Sequence, residues 1–189
     1  MVKLNKIYTR TGDDGTSGLA DGSRVAKSSL RMTAIGDVDE ANSAIGVART
    51  ALGHGIVEEA LARIQNDLFD LGADVATPLA EGEAPGAALR IVASQVTRLE
   101  QEIDRLNDEL SPLTSFVLPA GDASASALHL ARAIARRAER SAVAATQDAA
   151  LNPLALAYLN RLSDYLFVAA RWVNQAGAGD VLWVPGAQR

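Results

Sequence analysis

The sequence predicts an all-α fold, a five-helix bundle preceded by an ordered amino-terminal loop. Three observations carry this expectation. Apolar residues recur at spacings of three and four through long segments of the chain. Helix-starting and helix-stopping residues, such as Asn152-Pro153 and Thr77-Pro78, bracket those segments. The glycine- and hydroxyl-rich stretch near the amino terminus has no helical period at all.

A length of 189 residues fits one domain with a sizeable core, or at most two small ones, and one domain is the simpler reading. The formal net charge of −5 and a pI near 5.0 argue against a general nucleic-acid binder, which needs an electropositive footprint. Cysteine is absent, which removes disulfides and thiolate chemistry and is compatible with a reducing compartment. Met1-Val-Lys-Leu-Asn-Lys6 lacks the apolar core of a secretory signal, and no run of about 18 apolar residues occurs, so a soluble cytoplasmic protein without membrane contact is expected. The only histidines are His54 and His129, and neither has the glutamate spacing of a di-iron helical bundle.

Residues 8–18, Tyr-Thr-Arg-Thr-Gly-Asp-Asp-Gly-Thr-Ser-Gly, form the loop. It reads either as a surface turn or as a phosphate site in which glycines let backbone N–H groups converge on an anion and threonine hydroxyls assist. No Walker A lysine follows, and the EF-hand alternation of oxygen ligands is missing. Lys27 lies in a short basic patch just beyond and is either solvated or a phosphate contact.

The first helix is expected from Asp37, where Asp37-Val-Asp-Glu40 has the form of a capping box, to about Leu52. Asp39 and Glu40 then fall in its first turn, where carboxylates complement the helix dipole. The second runs through Val57, Leu61, Ile64, Leu68, Leu71 and Val75 to Thr77-Pro78. A flexible connection, 79–88, leads to a third helix over roughly 91–110. Ser111 to Gly121 is apolar, non-helical and bounded by prolines, so it is either a strap packed under the bundle or a wall of a ligand pocket, with Phe116 the residue to watch. A fifth helix starts at Asn152-Pro153, ends before Gly177 and carries a polar stripe of Asn160, Ser163, Asp164, Arg171 and Asn174. A short extended tail follows.

The fourth helix, starting near Asp122 or Ser124 and reaching about Gln147, is the most distinctive. Residues 132–140 contain four arginines and one glutamate. At about 100° per residue, Arg132, Arg136 and Arg140 share one face, with Glu139 beside Arg132 and Arg137 further round. Leu130, Ala131, Ile134, Ala135, Ala138 and Ala142 supply the opposite, close-packing face. The arginines are either a solvated face or an anion site. Glu139 is the only acid between Asp122 and Asp148, so the ridge needs counter-charge from a polyanionic ligand, another segment or another subunit.

Taken together, these pieces resemble the ATP:cob(I)alamin adenosyltransferases of the propanediol-utilisation type, over nearly the whole chain. The marks are residues 7–16 (Ile-Tyr-Thr-Arg-Thr-Gly-Asp-Asp-Gly-Thr), Asp39-Glu-Ala-Asn42, Gln65-Asn-Asp-Leu-Phe69, Ser115-Phe-Val-Leu-Pro119, Ala131-Arg132 with Arg136-Arg-Ala-Glu-Arg140, Tyr158 to Asp164, and Leu182-Trp183. Two departures stand out: Asp14 where many members have lysine, and Pro119-Ala-Gly121 in place of Pro-Gly-Gly.

The resemblance implies a single adenosyltransferase domain over 1–189, with an ATP loop at 7–28, a helical bundle at 30–176 and a tail at 177–189. It implies a homotrimer with an active site at each subunit interface. ATP would sit between the loop of one subunit and the arginine helix of its neighbour. Thr9, Arg10, Thr11, Gly12, Asp13, Gly15, Thr16, Ser17 and Lys27 would hold the triphosphate with Mg²⁺, whose own ligands stay undetermined. Arg136, Arg137, Glu139, Arg140 and Asn160 would hold the rest of the nucleotide. Arg132 would pair with Asp39 near the reacting centre, and Phe116 would fill the lower face of the corrin and exclude the axial ligand of cobalt. Cobalt(I) of cobalamin would attack the 5′ carbon of ATP and release triphosphate, with no protein nucleophile required. A cobalamin reductase and an adenosylcobalamin-dependent mutase are implied partners. The rival expectations are a non-catalytic ATP-binding scaffold, or chiefly a carrier of adenosylcobalamin.

Overall fold

The computed structural model describes residues 7–177, 179–187 and Arg189, so the amino-terminal hexapeptide read above and two positions of the tail lie outside the described residues. The elements are β1 (Thr16–Gly18), β2 (Arg24–Ala26), α1 (Leu30–Thr50), α2 (Ile56–Ala76), α3 (Ala93–Asn107), α4 (Ala123–Ala145) and α5 (Pro153–Gln175). The five helices match the expectation. The loop does not stay irregular, however, because β1 and β2 pair antiparallel with Ser17 opposite Val25. Gly22, at φ 84°, closes the turn between them in the left-handed region that favours glycine.

The start of α1 corrects the expected boundary. Ser29, extended at φ −67° and ψ 152°, is the N-cap, and its hydroxyl accepts from the Met32 N–H at 3.3 Å. The N-cap therefore lies eight residues before Asp37, the residue expected to cap the helix, and Leu30 is the first helical residue. Asp37 caps nothing. Its carboxylate is used across the bundle, accepting from the Ser141 hydroxyl and facing Arg137 Nε at 3.7 Å.

α1 packs on α4 and α2, and α5 packs on α4 and α3. Ala34, Ala41, Ile45 and Ala48 of α1 and Ala131, Ala135, Ala138 and Ala142 of α4 are all buried, so small side chains let these helices approach closely. Leu130 is the exception to the expected apolar face of α4, being 59 % exposed.

The third helix is shorter than expected. Val92 precedes it in an extended conformation, with its N–H donated to Gln95 Oε1 at 3.0 Å. Buried Ile91 donates its N–H to Asp74 Oδ2 at 2.8 Å. The connection before it is pinned rather than flexible. Arg90 donates to Asp74 Oδ1 at 2.8 Å, to Glu83 Oε1 and Oε2 at 2.9 and 2.7 Å, and to the Thr77 and Pro78 carbonyls at 2.7 and 3.1 Å. A second buried polar cluster joins α2, α3 and α5, where Asp67 accepts from the Tyr158 hydroxyl at 2.7 Å and Gln95 Nε2 at 2.9 Å and also contacts Arg98. The Asp67 carboxylate, the Tyr158 hydroxyl and the Gln95 amide satisfy one another, as burial requires, while Arg98 Nε is buried without an acceptor.

The segment between α4 and its preceding helix lies against the tail. Val117 and Leu182 form an antiparallel bridge. No helix among the described residues is long and apolar enough to cross a membrane.

Candidate functional site

The amino-terminal loop is built on turns and one arginine. Asp13 N–H donates to the Arg10 carbonyl at 3.3 Å, Gly15 N–H to the Gly12 carbonyl at 3.2 Å, and Lys27 N–H to the Gly15 carbonyl at 2.9 Å. Arg10 adopts φ 63°, a left-handed conformation that costs a non-glycine residue roughly 1–2 kcal/mol and so marks a tightly specified backbone. Thr9 and Thr11 hydroxyls lie 2.9 Å apart. A Cβ placed on Gly12 would lie 3.1 Å from the Thr16 carbonyl and 3.2 Å from Lys27 Nζ, so glycine is what lets the ammonium lie over the loop backbone.

Asp14 acts inside this loop. Its Oδ1 accepts from the Thr16 N–H at 2.9 Å and the Thr16 hydroxyl at 2.7 Å, and these bonds hold its carboxyl below the ordinary carboxylate value. Arg24 then donates through Nε to Thr16 Oγ1 at 2.9 Å and through Nη2 to Thr16 Oγ1 and the Thr11 carbonyl, both at 2.6 Å. The Thr16 hydroxyl is therefore engaged on both sides. Ala20 N–H donates to the Ala76 carbonyl at 3.0 Å and fastens the hairpin to the end of α2.

On α4 the counter-charges divide. Arg137 meets Glu40 and, at 3.7 Å, Asp37, and Glu40 first among them raises its affinity for the proton. Glu139 Oε1 accepts from Asn160 Nδ2 at 2.9 Å, while Asn160 Oδ1 accepts from Arg161 at 2.6 Å. Arg136 and Arg140 are exposed, and among the described residues neither has a carboxylate partner. Arg140 Nη1 donates only to the Arg136 carbonyl, at 3.1 Å.

Arg132 sits differently. It is half-buried over the Phe167 ring, with its guanidinium carbon 6.0 Å from the ring centroid, and its Nε is buried with no acceptor. Burial first and then the charge of Arg136 disfavour its cationic form. It shares an open cavity of about 510 Å³ with Phe116, Phe167 and Leu113 to Ser115. Phe116 is 76 % exposed, which decides against its being a buried strap residue. Trp183 backs it, with ring centroids 5.9 Å apart and planes tilted by 59°.

The structure thus brings Arg132 together with Phe116, Glu139 with Asn160, and Gly12 with Thr16 and Lys27. It does not bring the loop to the ridge: no hydrogen bond or ion pair joins residues 9–28 to 132–140 among the described residues. Asp39 is also apart from Arg132. It lines a separate, mostly apolar groove of about 460 Å³ between α1 and α2, together with Gly36, Met32 and Phe69, which is 73 % exposed. Sequence reasoning missed Arg24, which gave no motif beyond a basic patch, and Phe167, whose helical spacing reads as core. Trp183 carried a signal in Leu182-Trp183 but no assigned task.

The comparisons with known proteins agree with one another. The sequence matches the family described as Cobalamin adenosyltransferase over residues 7–173. A corrinoid adenosyltransferase of Mycobacterium tuberculosis is 52 % identical over 192 residues, covering 100 % of this chain and 97 % of that protein. One of Bacillus subtilis is 43 % identical, covering 93 % of this chain and 91 % of that one. A solved structure of a variant PduO-type ATP:corrinoid adenosyltransferase from Lactobacillus reuteri, complexed with cobalamin and ATP, superposes with a TM-score of 0.87 at 35 % identity and covers 94 % of this chain and 99 % of its own.

Proposed function

The chain belongs to the cobalamin adenosyltransferase family, and from that premise we propose how its own residues divide the work. It is an ATP:corrinoid adenosyltransferase, transferring the adenosyl group of ATP to a reduced corrinoid. Cobalt(I) supplies the electron pair for the new bond to the 5′ carbon. The carbon–oxygen bond breaks, and its pair leaves on the triphosphate. The protein has to neutralise that leaving group and hold carbon in line with cobalt.

We assign the corrinoid to the cavity of Phe116 and Arg132. The observation that carries this is a large aromatic side chain left exposed in a cavity shared with a half-buried, unpaired guanidinium. The Phe116 ring then occupies the lower face of the corrin and keeps the axial ligand off cobalt. Thr9 to Asp13, Gly15, Ser17 and Lys27 form the triphosphate site, in which hydroxyls and the Lys27 ammonium do the binding, because the Asp13, Gly15 and Lys27 N–H groups are already donated to loop carbonyls. Thr16 belongs to the loop's framework as well, through Asp14 and Arg24. Arg136 and Arg140 add cationic grip, and Arg137, Glu139 and Asn160 orient the nucleoside.

A homotrimer is part of the proposal. Within one chain the loop and the ridge stay apart, and Asp39 faces a different groove from Arg132. A neighbouring copy that brings its α1–α2 groove to this α4 would complete the nucleotide site and supply Asp39 as the carboxylate for Arg132. Among the described residues no group of three or more His, Asp or Glu side chains is arranged to hold a metal. Mg²⁺ would ride on the triphosphate oxygens and complete its shell with water or a single side-chain oxygen, as Mg²⁺ does in other nucleotide sites. We also place the reaction in the cytoplasm, with a reductase supplying cobalt(I) and a mutase receiving the product. The direct test is anaerobic incubation of the protein with ATP, Mg²⁺ and chemically reduced cobalamin while the corrin spectrum is followed. Formation of adenosylcobalamin is expected, and its absence under verified reduction would reject the assignment.

A further inference from the structure

Phe116 is carried by a segment outside every helix, so its direction has to be fixed from elsewhere. Its immediate support is the tail. Leu118 N–H donates to the Val181 carbonyl and Trp183 N–H to the Phe116 carbonyl, both at 2.8 Å, and the Ser115 hydroxyl donates to the Trp183 carbonyl at 2.6 Å. These bonds register the two segments on each other and leave open what registers the pair on the bundle.

α5 does that at two places. Asn174 accepts from the Asp122 N–H and donates to the Ala120 carbonyl, each at 3.0 Å, which anchors the end of the segment that runs into α4. One turn earlier, Arg171 anchors the opposite end. Its Nη2 donates to the Ser111 carbonyl and its Nε to Asp180 Oδ2, each at 2.8 Å. One guanidinium therefore joins three pieces of chain: α5, the start of the Phe116 segment and the start of the tail. Arg171 is only 7 % exposed, and the Asp180 side chain 15 % exposed, so the pair is little screened by solvent. A planar fork suits this task, because it fixes two acceptors in one plane at once.

We propose that Arg171, together with Asp180, is a positioning residue for adenosyl transfer: it sets the 111–121 segment and the tail against α5 and so aims Phe116 into the cavity it shares with Arg132. Neither residue lines that cavity. The proposal rests on reading the cavity as the corrinoid site, and it predicts effects on the corrinoid side of the reaction alone.

The test uses Arg171→Lys, which keeps the charge and loses the fork, and Asp180→Asn, which keeps the shape and loses the charge. Both are made in a Trp172→Phe background, so that Trp183 is the remaining tryptophan of the two in the sequence. The KM for cobalamin should rise about tenfold in each variant while the KM for ATP stays within about twofold. Turnover from cobalt(II) should fall further than turnover from cobalt(I). Acrylamide should quench Trp183 more strongly than in the parent. Losses in ATP and corrinoid parameters that move together, in step with melting temperature, would make the pair merely structural and overturn the proposal. Unchanged Trp183 quenching would overturn it too, and that readout holds even if the parent protein makes no adenosylcobalamin and the catalytic assignment itself fails.

Discussion

The Phe116 carbonyl accepts the Trp183 N–H at 2.8 Å while the two rings meet at a tilt, 5.9 Å between centroids. Backbone and side chain thus hold one aromatic residue on the surface from below. An exposed phenylalanine held in this way has little share in the core. Phe116→Ala should therefore cost less than about 1 kcal/mol of stability, well short of the roughly 3–5 kcal/mol of a buried phenylalanine. ATP binding should survive. Turnover starting from cobalt(II), whose axial ligand must leave before reduction, should collapse, and turnover supplied with cobalt(I) should recover much of its rate. Equal losses from both oxidation states, with a large drop in melting temperature, would remove Phe116 from the corrinoid site.

Arg136 has no carboxylate partner among the described residues and extends the charge of Arg132 and Arg140 along α4. Arg136→Lys keeps that charge and replaces a two-point grip with a point charge. Turnover should fall by roughly ten- to a hundredfold, with little change in melting temperature. A variant with unaltered kinetics would show that Arg136 is simply solvated.

The assembly is tested through Asp39. It is exposed beside Phe69 and an apolar groove, whereas Arg132, its proposed partner, lies on another face of the same chain. Sedimentation at micromolar concentration and moderate salt should return a trimer. Asp39→Asn should reduce turnover while the trimer persists, because one charge is removed from an otherwise unchanged surface. A monomer for the unmodified chain would dismantle the interface site.

Much of the fold was legible because its causes are local. Asn152 and Pro153 opened α5 as their types require, and Thr77-Pro78 closed α2. The start of α1 failed for an equally physical reason. Asp37-Val-Asp-Glu40 matches a capping box, but the seven residues before it bury Arg31 and Ala34, and Ser29 supplies a real cap upstream. Asp37 was left free to pair with α4, 104 residues away at Ser141, which no local pattern reports. The same limit applies to the site. Arg132 and Phe116 stand out by type and density, but Phe167, which lines their shared cavity, and Trp183, which backs the Phe116 ring, arrive from distant segments.

Asp14 tests how far the loop's shape is held by its own side chains. Its carboxylate takes two bonds from Thr16, and Arg24 closes on the same threonine. Asp14→Ala should loosen residues 11–16 and weaken ATP binding by roughly three- to tenfold, a modest loss because the bonds are exposed to solvent. Corrinoid affinity should not move. An ATP affinity equal to that of the parent would separate Asp14 from the loop's function.

His129 gives a pH test of the layer beneath the cavity. It is 2 % exposed, its ring lies 6.3 Å from Phe167, and neither ring nitrogen has a hydrogen-bond partner. Burial first, then the Arg132 charge, holds its pKa below the ordinary 6.5, with Asp180 opposing. The folded chain therefore keeps the imidazole neutral where the unfolded chain has begun to take a proton. Below about pH 6.5 the unfolded state binds more protons, so the stability tied to His129 is complete above that pH and drains away as pH falls toward the lower folded-state value. His129→Phe retains a ring in the same space and abolishes this linkage. Between about pH 7.5 and about pH 5.5 the melting temperature of the parent should drop more steeply than that of the variant. Exposed His54 is present in both proteins and cancels in the comparison. Parallel curves would mean that His129 titrates alike in the folded and unfolded chains, and that the ground under Arg132 and Phe167 is open to water.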